Sequence, residues 1–153
     1  MNLVEKLIEN KLTISAAESL TGGLLQATIV NIPNASKVFL GGVVSYTKEA
    51  KCKLLGLSMD NIEKYGVYSN ETSYKMAKGV KKLTNSNIAV GISGVAGPGS
   101  DEGVSAGTVY YSIIINNDIY NRVIEIKNKS RLEVREETVS TIINDLMNLL
   151  NIM

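Results

Sequence analysis

The sequence predicts a three-layer α/β/α domain with a mixed, mainly parallel sheet that ends in a β-hairpin and a closing helix. Strand-like apolar runs alternate with helical patterns over the first two thirds of the chain, and two further β-prone runs then follow one another directly. The chain has 153 residues, of which 44% are hydrophobic and 20% charged. A single domain over residues 1–153 can bury about 70% of the surface of the unfolded chain.

Apolar spacing and capping residues predict the elements of the first half. Leu3, Val4, Leu7 and Ile8 share one helical face, and the second helix must stop before the loop 31–36, which contains proline. The expected elements are a helix over 2–10, a strand over 12–15, a helix over 23–32, a strand over 37–46 and helices over 48–55 and 60–65.

The second half changes from parallel to antiparallel character. A helix over 71–83 leads into a short hydrophobic strand over 88–93, which feeds a glycine-rich loop over 94–103. Strands over 107–115 and 119–126 are joined by a turn of polar residues, as in a hairpin. The last helix begins near Ser130 or Arg131.

Charge and cysteine content exclude several classes of partner. The 16 basic and 15 acidic residues leave a net charge of +1, so no overall field attracts nucleic acid or anionic lipid. The N-terminal segment is charged throughout, and no apolar run reaches the ~20 residues of a membrane span. Cys52 is the only cysteine, which excludes an intramolecular disulfide and a multi-cysteine zinc site. These features predict a soluble cytoplasmic protein that has neither nucleic acid nor a membrane as its partner.

Histidine is absent from the chain. A Ser-His-Asp triad and histidine metal sites are therefore excluded, and an activated serine must take its base from Lys, Asp, Glu or Tyr. Glu18, Asp101, Glu102 and Glu133 are too scattered to form a magnesium site, and Asp101 and Glu102 are expected to be solvated. We expect neither a metal nor another cofactor.

The segment 16–23, AAESLTGG, places Ser19 at the turn from the first strand into the second helix. We expect Thr21 to cap this helix, and we expect the N–H groups of residues 22–24 to be unpaired, to point outward and to attract negative charge. If Ser19 attacks a carbonyl, the N–H groups of residues 21–23 would stabilise the oxyanion. A helix cap without catalysis is the alternative interpretation.

The predicted strand 37–46 ends at Tyr46, with Lys48 and Lys51 shortly after it, and these three residues are candidates to receive the Ser19 proton. A lysine buried beside apolar groups loses its preference for the charged form, and Ser-Lys pairs work without imidazole. Tyr46 can relay the proton or hydrogen-bond the leaving group. The pattern alone does not choose between Lys48 and Lys51, and solvated surface lysines are the alternative.

The glycine-rich loop 94–103 follows a predicted central strand, a place where open α/β sheets bind ligands. Its glycines let the backbone approach a ligand such as phosphate, and a structural turn is the alternative. The loop matches neither the P-loop motif nor the dinucleotide-binding fingerprint. Arg131 and Arg135 either bind a phosphate or pair with Glu136 and Glu137.

Three motifs lie in order between residues 17 and 109. The first is AESLTGG at 17–23; the second is VSY at 44–46 with EAK at 49–51 and LG at 55–56; the third is GISGVAGPG at 91–99 with GTV at 107–109. Together they resemble the CinA C-terminal domain family, the PncC-type nicotinamide-nucleotide amidases.

The resemblance implies a metal-free amidase that converts nicotinamide mononucleotide to nicotinate mononucleotide and ammonia in pyridine nucleotide recycling. It implies that Ser19, Tyr46 and Lys51 are catalytic, and it selects Lys51 over Lys48, which has no counterpart in the family pattern. The glycine-rich loop would close over the nucleotide. The substrate-binding positions implied by the motifs are Thr21, Gly22, Gly23, Gly42, Ser93, Gly94, Ala96, Gly97, Gly99, Thr108 and Arg135.

Two departures from the family pattern affect the loop. Ser100 stands where the family often has a second glycine, and residues 104–106 replace a Lys-Pro-Val lead into GTV, so loop closure is expected to differ. Two other functions stay open: a non-catalytic nucleotide-binding or assembly module, and an amidase for another small amide. A homo-oligomer is also expected, because the isoleucine-rich runs 113–115 and 124–126 would give the sheet a sticky edge.

Overall fold

The computed structural model describes residues 1–153 and forms one five-stranded sheet with helices on both faces. The strands are β1 (Ile14–Glu18), β2 (Phe39–Val44), β3 (Ile88–Gly94), β4 (Thr108–Ile115) and β5 (Asp118–Glu125). The helices are α1 (Leu3–Asn10), α2 (Leu24–Val30), α3 (Lys48–Leu55), α4 (Met59–Tyr65), α5 (Asn70–Thr84) and α6 (Arg131–Asn151), with a short 3₁₀ turn at Ala35–Lys37. No helix combines the length and apolar character needed to cross a bilayer.

The strand order is β2-β1-β3-β4-β5. β1 pairs in parallel with both β2 and β3, whereas β3 with β4 and β4 with β5 pair antiparallel. The predicted mixed sheet with its hairpin and closing helix is therefore confirmed. Because β1, β2 and β3 are parallel, their carboxyl ends meet at one edge of the sheet. The segments that follow Glu18, Val44 and Gly94 gather at this edge.

Two apolar cores hold the three layers together. On one face, buried side chains of α1, α2 and α6 pack against the sheet; on the other face, α5 packs against it together with Leu55 of α3. Every residue of β1 and β3 is buried, as expected for central strands that are covered on both faces. The carboxyl ends of β1 and β3 therefore belong to the most deeply buried strands of the sheet.

The first strand and second helix differ from the predicted ranges in a way that matters for Ser19. β1 ends at Glu18 rather than at residue 15, because Ala16 and Ala17 continue the pairing with β2 and β3. α2 begins only at Leu24, after Gly23 with φ of 99°, a conformation that glycine adopts easily. Ser19 therefore follows β1 directly and heads a short connection of its own.

The sequence argument for a sticky edge at 113–115 is wrong. Ile113, Ile114 and Ile115 are buried in β4, which is paired on both sides. The edge strands are β2 and β5, and β5 exposes Ile119 and Val123. The homo-oligomer stays a prediction, and β5 is the edge strand whose exposed apolar side chains favour it.

Candidate active site

Ser19 and Lys51 meet at the carboxyl edge of the parallel strands. Ser19 follows the last residue of β1, and Lys51 lies on α3, which begins after β2 and is capped by Thr47. Lys51 Nζ lies 3.0 Å from Ser19 Oγ, within hydrogen-bond distance. The two residues are 5% and 1% exposed, so the hydroxyl and the amine face each other in a site shielded from bulk water.

Burial changes the acidity of Lys51. Loss of hydration disfavours the ammonium and lowers the pKa of Lys51 from its ordinary value of 10.5 to about 8. As an ammonium, Nζ donates to Ser19 Oγ and to the carbonyl oxygens of Ser45 at 2.9 Å and Tyr46 at 3.4 Å. After losing a proton, the amine can keep both carbonyl contacts and turn its lone pair toward the Ser19 hydroxyl. The arrangement is that of a general base beside a nucleophile.

Glu18, rather than Thr21, caps α2. Both carboxylate oxygens of Glu18 accept backbone N–H groups of the first turn, from Leu25 and Gln26, each at 3.0 Å. Glu18 is fully buried, whereas Thr21 Oγ1 is buried without any hydrogen-bond partner. The predicted Thr21 cap is therefore wrong. The sequence signal was an acidic residue shortly before a helix, the type that helix N-termini favour.

Arg135 of α6 fixes the turn that carries Ser19. Its Nε donates to the Leu20 carbonyl at 2.9 Å and its guanidinium also donates to the Thr21 carbonyl at 3.0 Å. Gly22 lies against this guanidinium with φ of 60°, and its N–H donates to the Ser19 carbonyl. The expectation that the N–H groups of residues 22 and 24 are unpaired is wrong, since Leu24 N–H likewise donates to the Thr21 carbonyl.

A cavity of about 450 Å³ opens beside the Ser19–Lys51 pair, within the size range of small-molecule sites. Its wall combines the Ser19 turn, the start of α3, the segment around Tyr68, the glycine-rich loop and the start of α6. The lining residues are Ser19, Leu20, Tyr46, Thr47, Lys48, Lys51, Val67, Tyr68, Gly94, Val95, Ala96, Gly97, Pro98, Gly99, Ser100, Asp101, Glu102 and Arg131.

Arg131, rather than Arg135, lies on the cavity wall. Its guanidinium donates to the Gly97 carbonyl at 2.6 Å and to the Tyr46 hydroxyl at 2.7 Å. The Tyr46 hydroxyl is thus bound by Arg131, while the Tyr46 carbonyl is the group that contacts Lys51. Neither arginine forms an ion pair with Glu136 or Glu137.

The loop carboxylates Asp101 and Glu102 are exposed to solvent, as expected, and each also binds a partner across the cavity. Lys48 Nζ lies 2.5 Å from Glu102 Oε1, and the Tyr68 hydroxyl lies 2.5 Å from Asp101 Oδ2. The hydrogen bond with Glu102 raises the pKa of Lys48, which is an ammonium at neutral pH. Desolvation, followed by the contact with Asp101, raises the pKa of Tyr68. No three acidic or cysteine side chains come close enough to share a metal ion.

The predicted substrate-binding positions divide into two groups. Gly94, Ala96, Gly97 and Gly99 line the cavity. The positions that do not line it are Thr21, Gly22, Gly23, Gly42, Ser93, Thr108 and Arg135.

Three residues of the second group make contacts within the sheet or with segments that line the cavity. A Cβ atom on Gly42 would overlap the Ala16 carbonyl, and Ser93 Oγ donates to the Val67 carbonyl at 2.7 Å. The Thr108 carbonyl accepts the Val95 N–H at 3.0 Å, which ties down the start of the glycine-rich loop. These contacts give Gly42, Ser93 and Thr108 a structural role near the site.

The chain matches the family model described as the CinA C-terminal domain over residues 1–150. The chain belongs to this CinA family. A CinA-like protein of Fervidobacterium nodosum is 42% identical over 136 residues, 88% of this chain and 33% of the relative. A CinA-like protein of Petrotoga mobilis is 45% identical over 121 residues, 78% of this chain and 30% of the relative. The chain thus spans about a third of the length of these curated relatives.

Solved structures of the CinA superfamily share the fold. A competence-damaged protein (CinA) superfamily protein from Escherichia coli superposes with a TM-score of 0.93 at 29% identity. The superposition covers 96% of this chain and 86% of the Escherichia coli chain. The competence/damage inducible protein CihA from Agrobacterium tumefaciens superposes with a TM-score of 0.90 at 30% identity, covering 97% of this chain and 91% of its own. The CinA fold therefore accounts for the whole arrangement of sheet and helices.

Proposed function

We propose that this CinA-family chain is an amide hydrolase that uses Ser19 as nucleophile and Lys51 as general base. The observation that carries the proposal is the buried 3.0 Å contact between Lys51 Nζ and Ser19 Oγ, beside a cavity large enough for a small molecule. The chain has no histidine, and Lys51 is the titratable side chain that hydrogen-bonds Ser19 Oγ.

The reaction proceeds by acyl transfer in this proposal. The neutral Lys51 amine takes the Ser19 proton as Oγ attacks the amide carbon, and the ammonium then returns a proton to the leaving nitrogen, which departs as ammonia. Water attacks the resulting Ser19 ester, again with Lys51 as base, and releases the carboxylate. The unbonded N–H groups of the 19–23 turn are the proposed oxyanion donors.

The proposed substrate is nicotinamide mononucleotide, and the product is nicotinate mononucleotide. Resemblance of the three motifs to the nicotinamide-nucleotide amidases supports this choice, and cations at the cavity wall, Lys48 and Arg131, suit a phosphate-bearing ligand. Tyr46 and Arg131, joined by their hydrogen bond, are proposed to position the substrate opposite Ser19. No cofactor enters this scheme.

Ammonia release tests the proposal. Wild type should release ammonia from nicotinamide mononucleotide, and Ser19→Ala and Lys51→Ala should each lower the rate by about 10³-fold or more. Lys53→Ala, an exposed position on the same helix, is the matched control and should retain the wild-type rate.

Comparison of substrates separates the proposal from its alternatives. Equal rates of ammonia release by wild type, Ser19→Ala, Lys51→Ala and Lys53→Ala would contradict the Ser19–Lys51 mechanism. Tight mononucleotide binding in calorimetry with no turnover would indicate a binding module instead. Turnover of nicotinamide or its riboside in preference to the mononucleotide would indicate an amidase for a different amide.

A further inference from the structure

An ion pair between two separate elements borders the proposed active site. Lys48, the first residue of α3, lies 2.5 Å from Glu102 of the glycine-rich loop and 3.8 Å from Glu63 of α4, measured from Nζ to the carboxylate oxygens. The side chains of Lys48 and Glu102 are 29% and 43% exposed, and both residues line the cavity. The pair therefore lies where the cavity meets solvent.

Lys48 is the cation of the cavity best able to accept a new anion. Lys51 is bound to three oxygens and serves as the proposed base, and Arg131 is bound to the Gly97 carbonyl and the Tyr46 hydroxyl. The partners of Lys48 are carboxylates, and an exposed ion pair contributes little net stability. A competing anion can replace such a partner.

The surroundings of Lys48 favour a phosphate over a carboxylate. A phosphate monoester carries up to two negative charges and three acceptor oxygens, so it attracts an ammonium more strongly than Glu102 does. Thr47 and Lys48 bring the first turn of α3 to the same cavity, and the N-terminal end of a helix dipole adds attraction for an anion.

We propose that Lys48 binds the phosphate of the mononucleotide, and that Glu102 holds the Lys48 ammonium in position until the phosphate replaces it. Lys48 then determines specificity for the nucleotide over the free riboside, while Ser19 and Lys51 act on the amide. The assignment rests on the proposed function, which supplies the mononucleotide as ligand.

Calorimetric binding to Ser19→Ala protein tests the assignment without turnover. The ligands are nicotinamide mononucleotide and nicotinamide riboside, which differ by the phosphate. Adding Lys48→Gln should weaken mononucleotide binding by about tenfold or more and leave riboside binding unchanged. Adding Glu102→Gln should tighten mononucleotide binding by about threefold or more, because the competing carboxylate is gone. Lys53→Gln, with the same loss of charge on the same helix, should change neither.

Turnover in the presence of Ser19 provides a second readout. Lys48→Gln should raise KM for the mononucleotide and leave kcat nearly unchanged, as expected when binding to substrate and transition state is lost equally. Thermal melting of each variant checks that the fold is intact.

Several results would overturn the assignment of Lys48. One is an equal loss of affinity for both ligands in Lys48→Gln, or no loss of affinity for either. Another is the absence of measurable mononucleotide binding. The last is a phosphate-specific loss of affinity that appears in Arg131→Gln and not in Lys48→Gln. Lys48-dependent mononucleotide binding without ammonia release would support the phosphate site and contradict the amidase proposal. Ammonia release with Lys48-independent binding would do the reverse.

Discussion

The pKa of Lys51 sets the pH range in which a Ser19–Lys51 amidase works. Only the neutral amine can take the serine proton, and with a pKa of about 8 its fraction falls about tenfold for each pH unit below that value. We therefore expect kcat/KM for nicotinamide mononucleotide to rise about tenfold between about pH 6 and pH 7 and to level off above about pH 9.

The same shift links stability to pH. Below about pH 8 Lys51 is protonated in both folded and unfolded chains, and the folded state bears the full desolvation cost. Between about 8 and the ordinary 10.5, the unfolded chain binds the proton and the folded chain does not, so the free energy of unfolding rises with pH. The shift corresponds to roughly 3 kcal/mol.

Comparison with Lys51→Met isolates this effect from other titrating groups, including Tyr68 and Tyr111, whose pKa values burial raises. Urea unfolding of both proteins at several pH values gives the stability difference between them. This difference should move in favour of wild type by roughly 3 kcal/mol between about pH 7 and pH 10.5. A rate profile flat from about pH 6 to pH 9, together with a constant stability difference, would refute the role of Lys51 as a desolvated base.

Three further predictions concern the frame around the site. Glu18→Ala should lower the free energy of unfolding by about 2 kcal/mol in urea titration, since it removes the cap of α2. Glu18→Gln keeps one acceptor oxygen and should lose less, and no loss in Glu18→Gln would contradict a charge-assisted cap. Thr21→Val should be neutral or stabilising by about 1 kcal/mol in the same assay, because it removes a buried hydroxyl that has no hydrogen-bond partner. A loss of stability of about this size would mean that the hydroxyl is hydrogen-bonded. Gly91→Ala should lower the free energy of unfolding by about 3 kcal/mol in urea unfolding, because the added Cβ would overlap the backbone of α5. Gly99→Ala is the control, since a Cβ there meets nothing within 4 Å. Equal stabilities of the two variants would argue against close packing at Gly91.

The element types followed from local patterns. The amphipathic period of α5, the buried run of β3 and the cap and glycine stop of α3 each depend on residues close in sequence, and such patterns determine which face is buried. Strand order, in contrast, depends on pairing across the chain. The sequence pattern therefore predicted a sheet edge at 113–115, whereas in the sheet β5 pairs with this part of β4.

The site was predictable to the extent that its parts lie in short motifs. Ser19 directly follows β1, and Lys51 lies on the helix that follows the adjacent parallel strand β2. Chemistry on an open sheet is expected at this place, and the motifs of both residues were recognisable. The contacts that the patterns missed join distant segments: Arg135 reaches Leu20, Arg131 reaches Tyr46 and Lys48 reaches Glu102. Such pairs depend on how α6 and the glycine-rich loop lie against the sheet, which local spacing does not encode.

The Thr21 error has a similar origin. A threonine and an acidic residue are both frequent near the start of a helix, and local spacing does not decide between Thr21 and Glu18. The actual cap follows from the length of β1, which brings Glu18 to the N-terminus of α2. The deciding factor was again strand pairing.

The most direct test of the Ser19–Lys51 mechanism is to look for the acyl-enzyme. Wild-type protein is mixed with nicotinamide mononucleotide, quenched in acid during turnover and digested, and the peptides are analysed by mass spectrometry. The mechanism predicts a nicotinate mononucleotide ester on the peptide containing Ser19, absent from Ser19→Ala protein. Ammonia release at the wild-type rate by Ser19→Ala, with no adduct on the Ser19 peptide of wild type, would contradict it.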